Sequence, residues 1–139
     1  MTHLLDTNVL SEVRKPRKDP RVEAWLATTR PHELHVSVLT LGEVRRGIER
    51  LRPRDPEQAL VFETWLQEVE NVFAERVLDV DLVVAQAWGR IDATSMVATV
   101  DGLIGATALV HGLTVVTRDT APFARVGVPW LDPWSYGEP

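Results

Sequence analysis

The chain of 139 residues contains no cysteine, which excludes disulfides and any thiolate metal site. Lysine is limited to Lys15 and Lys18. The histidines His3, His32, His35 and His111 lack the i, i+4 pairing of a helical zinc site, so oxygen is the expected donor for any metal. No apolar run nears the roughly 20 residues that cross a bilayer. Met1-Thr2-His3 leads straight into Leu4-Leu5-Asp6, without the basic and long apolar regions of a secretory signal. A cytoplasmic protein without a membrane span is expected. Its net charge of -5 argues against a surface that grips nucleic acid everywhere.

The remaining composition, 45% hydrophobic and 25% charged, is that of a globular chain, and its length suits a single domain over residues 1–139. Charge is unevenly placed. Residues 1–54 carry 11 Lys and Arg against 7 Asp and Glu, whereas residues 55–139 carry 4 against 13. The basic residues gather in Arg14-Lys15-Pro16-Arg17-Lys18 and in Arg45, Arg46, Arg50, Arg52 and Arg54. Two readings stand for the first group: solvated surface, or phosphate contacts by Arg14, Lys15, Arg17 and Lys18 beside a site.

His3-Leu4-Leu5 predicts a buried strand stopped by Asp6-Thr7-Asn8, with a short helix through Val9–Val13. Asp19-Pro20 and Asp55-Pro56 each pair a cap with a proline suited to a first helical turn. Leu34–Ser37 predicts a second strand, and Thr40-Leu41-Gly42-Glu43 fits a capping box opening the next helix. Val77–Val80, Thr114–Thr117 and Val128–Leu131 read as further strands. Leu82–Ile91 and Leu103–Val110 read as helices, the second almost wholly apolar and closed by His111-Gly112. Trp65 and Trp88 fall on apolar helical stripes and are expected in the core, with Trp25 packed as well. Strands alternating with helices predict an α/β sandwich, a central parallel sheet of four to five strands flanked by helices.

In such a sheet ligands bind beyond the carboxyl ends of the strands, where strand order reverses. Asp6 follows the first strand, Asp119 the fourth, Glu43 is expected in the first turn after the second, and Asp101 opens the helix feeding the fourth. All four can reach one edge. Taken singly, each has a structural explanation, because Asp caps helices and acids favour first turns. Taken together they need raised pKa values or a cation to offset their repulsion. An all-carboxylate set suits Mg²⁺ or Mn²⁺, which activates water without a side-chain nucleophile. Thr7, Asn8 and Thr117 lie next to these acids and are candidates to orient a ligand or a water, or simply bond locally to backbone.

Leu4-Leu5-Asp6-Thr7-Asn8-Val9-Leu10-Ser11 resembles the opening of PIN-domain nucleases, particularly the VapC and FitB-like toxins of bacterial toxin–antitoxin pairs. Ser37 to Gly47 around Glu43, Asp101 to Ala108, and Leu113 to Asp119 are similar to the family's later motifs, and Asp132-Pro133-Trp134 to a common ending. Gly105 stands where Ala is usual, and Asp132 where Asn is common. The resemblance implies that Asp6, Glu43, Asp101 and Asp119 are catalytic, that Asp6, Asp101 and Asp119 hold Mg²⁺ or Mn²⁺, and that Thr117 accompanies them. It implies hydrolysis of RNA phosphodiesters leaving 5′-phosphates, an antitoxin that blocks the pocket and carries the operator-DNA contacts, and a homodimer. The alternatives are an RNA-processing PIN nuclease without an antitoxin, and a module that binds RNA or a partner without cutting. A dehalogenase-type phosphatase fits poorly because Asn8 stands where its second carboxylate is needed, and a phospho-receiver because no lysine lies near the acids.

Overall fold

Leu4 and Leu5 are adjacent and both buried, yet they belong to different apolar clusters. This is the period-two alternation of a strand covered on both faces. The computed structural model describes residues 1–139. Its elements run β1 (His3–Leu5), α1 (Thr7–Arg14), α2 (Pro20–Leu26), β2 (Leu34–Ser37), α3 (Val38–Leu51), α4 (Pro56–Phe73), β3 (Val77–Leu78), α5 (Leu82–Asp92), α6 (Thr99–His111), β4 (Thr114–Val116), α7 (Ala121–Val126) and β5 (Trp130–Leu131). The five strands pair in parallel in the order β3-β2-β1-β4-β5. The expected sandwich is therefore found with five strands. No helix is long and apolar enough to cross a membrane.

On one face Leu5, Val36 and Val116 pack with Val9 and Leu10 of α1, Trp25 of α2, Ile48 of α3 and Leu66 of α4. On the other, Leu4 and Val115 pack with Ile104 of α6 and Phe123 of α7. Gly105 has a packing reason. A Cβ there would come within 3.3 Å of Val126 and 3.4 Å of Val128, so glycine lets α6 close on the segment before β5. Gly112 ends α6 at φ 67, the left-handed closure expected of His111-Gly112.

Several boundaries differ from expectation. The strands expected at 77–80, 114–117 and 128–131 pair only over Val77–Leu78, Thr114–Val116 and Trp130–Leu131. Helix α7 was not expected, because Pro122 and a six-residue length hide its pattern. The capping box at Thr40 is not formed. Ser37 caps α3 by accepting from the Leu39 N–H, which places Thr40 inside the helix and Glu43 in its second turn. A strand running directly into a helix leaves its last residue to serve as the cap. Trp25 is buried as expected, edge-on to His3 with centroids 5.2 Å apart. Trp65 and Trp88 are only half-buried: their stripes lie at the margins of the helix layers rather than in the core.

The cap assignment has a measurable consequence. Ser37→Ala should lower stability by about 1 kcal/mol in urea unfolding. Thr40→Val should be neutral or stabilising, because the Thr40 hydroxyl is buried without a partner and its loss removes a desolvated polar group. A destabilised Thr40→Val beside an unaffected Ser37→Ala would return the cap to Thr40.

Candidate active site

Strand numbers rise outward from β1 through β2 to β3, and outward through β4 to β5 on the other side, so the order reverses between β1 and β4. Asp6 leaves β1 at that point, and its N–H donates to Val116 O at the end of β4, 2.9 Å away. Thr117, next in the chain, is fully buried. Its hydroxyl donates to Asp6 Oδ2 at 2.8 Å, and accepts from Asn8 Nδ2 at 3.3 Å and from the Asp119 N–H at 3.1 Å. The last bond is a local turn that fixes where Asp119 leaves the strand. Asn8 Oδ1 in turn accepts from the Arg118 N–H at 3.2 Å. The Thr7 N–H donates to Asp6 Oδ1 at 2.9 Å, and the Thr7 hydroxyl donates to Glu43 Oε1 at 2.8 Å, tying α1 to α3. Thr7, Asn8 and Thr117 thus form one connected set of hydrogen bonds with Asp6, Glu43 and Asp119, which Asp101 does not join.

Asp6 does cap α1. The other three acids are not caps. Asp101 lies in the first turn of α6 behind Ala98, Asp119 precedes Thr120 at the start of α7, and Glu43 faces Thr7. Capping therefore accounts for one position of the four.

The electrostatics bind the four acids together. The Asp6 carboxyl is raised above the usual aspartate range, first by burial and then by Glu43 and Asp119, with the bonds from Thr117 and Thr7 opposing the rise. The Asp101 carboxyl is raised by burial and by Asp6, Asp119 and Glu43. No three acidic or histidine side chains already converge as a cage. The carboxylates stand as interacting neighbours at the strand ends, Asp101 feeling the other three and Asp6 feeling Glu43 and Asp119. As a donor set they fit a hard cation, being all oxygen and repelling one another without it.

The basic residues divide. The Arg14 guanidinium lies over the rings of Phe62 and Trp65, at 4.6 and 5.6 Å from their centroids. Lys15 pairs with Glu12 at 2.9 Å, while Arg17 and Lys18 make no ion pair. Glu12, which sequence reasoning passed over, is largely buried and also accepts from the Asp19 N–H at 2.8 Å, anchoring the basic turn at both ends. Arg45 and Arg52 are taken up by Glu49 and Glu63. Arg46 is the one arginine in ion-pair range of a candidate acid, 3.8 Å from Glu43 Oε2, and only its i, i+3 spacing from Glu43 pointed there.

Comparison with known proteins agrees with this layout. The PIN domain family matches residues 3–129. The chain is 36% identical over 136 residues to toxin FitB of Neisseria gonorrhoeae, covering 94% of this chain and 97% of that one. It is 34% identical over 137 residues to the VapC ribonuclease Y4jK of Sinorhizobium fredii, covering 94% and 96%. Among solved structures, FitAcB from N. gonorrhoeae superposes with a TM-score of 0.86 at 35% identity, over 96% of this chain and 99% of that chain. FitAB bound to the IR36 DNA fragment gives 0.85 at 34% identity, over 96% of each chain.

Raised carboxyls carry a stability signature. Asp6 and Asp101 hold protons to higher pH in the folded chain than in the unfolded one, so metal-free stability falls as pH rises through their folded values. Asp101→Asn removes one charge from the crevice and should raise metal-free stability at pH 7. That gain should vanish below about pH 4, where the unfolded aspartates are protonated too. Denaturant midpoints of both proteins across this range decide it, and a gain independent of pH would mean the acids do not interact.

Proposed function

Because this chain belongs to the PIN-domain family, we propose that it is the toxin ribonuclease of a toxin–antitoxin pair, hydrolysing RNA phosphodiesters at the crevice between β1 and β4. The observation that carries this reading is the set of hydrogen bonds through which Thr117 and Thr7 hold Asp6, Asp119 and Glu43 where strand order reverses, with Asp101 near enough for its carboxyl to be raised by all three. Repulsion among them weakens the fold unless the cluster has a use.

In this reading Asp6, Asp101 and Asp119 hold Mg²⁺ or Mn²⁺. When bound, such an ion makes a water more acidic and stabilises charge growing on a phosphate. The chain's own residues do the positioning. Thr117 aims Asp6 and sets the exit of Asp119, and Thr7 holds Glu43 through Oε1, leaving Oε2 toward Arg46 and the crevice. The absence of cysteine agrees with a route that needs no side-chain thiolate. The likeness to toxin FitB and to the FitAB–DNA structure supports an antitoxin partner that makes the operator-DNA contacts. A chain of net charge -5 is poorly suited to making those contacts itself.

Purified protein should cleave RNA with Mg²⁺ or Mn²⁺ and stop in EDTA. Metal at 100 times its dissociation constant should add roughly 2.7 kcal/mol of stability, and Asp101→Asn should lose both cleavage and most of that gain. Co-expression with the product of an adjacent small gene should yield an inactive complex. Undiminished cleavage in chelator would remove the metal, and failure of every neighbouring product to bind would remove the antitoxin.

A further inference from the structure

Gly47 sits in the body of α3, where glycine weakens a helix relative to alanine, yet a Cβ there would meet nothing within 4 Å. Unlike Gly105, it has no packing reason inside the chain. It lines a cavity of about 300 Å³ between α1, α3 and α4, with Thr7, Arg14, Glu43, Phe62 and Trp65 among its walls. Glu43 and Thr7 belong to the candidate site, so the cavity is a side chamber of the crevice.

Arg14 supplies a second, independent observation. Its guanidinium rests on two aromatic rings and makes no ion pair, although the chain has 20 acidic residues against 15 basic ones. Its neighbour Lys15 is paired with Glu12. A place in the last turn of α1 explains a cation there, but not the two rings beneath it at the wall of an open chamber.

Resting on the ribonuclease reading above, we propose that this chamber receives one nucleobase of the RNA strand, next to the scissile phosphate, stacked on the Arg14 guanidinium. A flat base matches a guanidinium already backed by Phe62 and Trp65, and the attached phosphate supplies the charge Arg14 lacks. A base reaches such a chamber only when it is unpaired, so the substrate is a single-stranded segment or loop. Gly47 sets the width of the slot, and Arg14 and Gly47 are specificity-determining positions. An apolar segment of a protein partner would fill the space without answering the charge of Arg14.

The test is a cycle between protein and RNA, using the full chain and a single-stranded RNA oligonucleotide that the wild type cuts. Gly47→Leu fills the chamber from a position whose Cβ meets nothing within 4 Å, and Gly47→Ala is a milder filler expected to raise the melting temperature. Removing the base beside the cut should raise KM on the order of tenfold for wild type, with kcat within about twofold, as loss of one stacked base predicts. Gly47→Leu should raise KM for the intact oligonucleotide similarly and show little further loss with the abasic one. Gly47→Ala should give a smaller shift in the same direction. Arg14→Lys keeps the charge but loses the stacking plane, and should erase most of the preference for the intact oligonucleotide. If the two losses multiply independently, or KM is unchanged in both Gly47 variants, the base does not sit there and the ribonuclease reading survives. Weakened antitoxin binding with unchanged KM would assign the chamber to the protein partner and overturn the proposal. A wild type that cuts no RNA overturns both readings.

Discussion

The Thr117 hydroxyl has one proton to give, and it gives it to Asp6 Oδ2 while its lone pairs accept from Asn8 and from the backbone of Asp119. Two of the acids are thereby located by one oxygen. The oxygen is in turn located by burial at the end of β4, whose pairing with β1 sets the distance between the strands. Thr7 performs the corresponding task for Glu43. Neutral hydroxyls are suited to this work because they orient a carboxylate without neutralising it. A lysine or arginine in the same place would neutralise the carboxylate it held. Arg46, at 3.8 Å from Glu43, stays at the rim.

Stability and site are opposed here, and the sheet decides how far. Burial of the Asp6 and Asp101 carboxyls and the repulsion they feel from neighbouring acids both weaken the fold. The apolar clusters on the two faces of the sheet must carry that burden, and they do so with alternating residues on very short strands. The outer strands are only two residues long, so the sheet has little unpaired edge to offer another chain.

Much of this was readable in the sequence wherever one local signal decided the outcome. Asp-Pro pairs opened α2 and α4, Gly112 closed α6, and the apolar runs marked β1 and β2. Asp6 and Asp119 do follow β1 and β4, because the topology of a parallel sheet leaves the residues after its strands few places to go, whereas Glu43 lies one turn deeper in α3 than expected. The misplaced cap of α3 comes from competition between signals a few residues apart. Ser37 and Thr40 both look like caps, and only the point where β2 stops pairing selects the first. The chamber beside Glu43 was beyond reach, since it depends on how α1, α3 and α4 meet and on a glycine whose purpose is space. Arg14 was picked out for its charge, but its stacking on Phe62 and Trp65 follows from packing alone.

The bond between Thr117 and Asp6 joins residues 111 positions apart, and β1 lies between β2 and β4 in the sheet. Contacts so distant in sequence form late, because a long loop must close before they return any energy. A growing polypeptide exposes Asp6 early, but the hydroxyl that aims it, the acid of residue 119 and the strand that seals the sheet emerge only near the end of synthesis. Through most of its translation the chain therefore has acids but no assembled crevice. The crevice is thus assembled only by completing the fold, so the proposed cleavage has no site in a partly made chain.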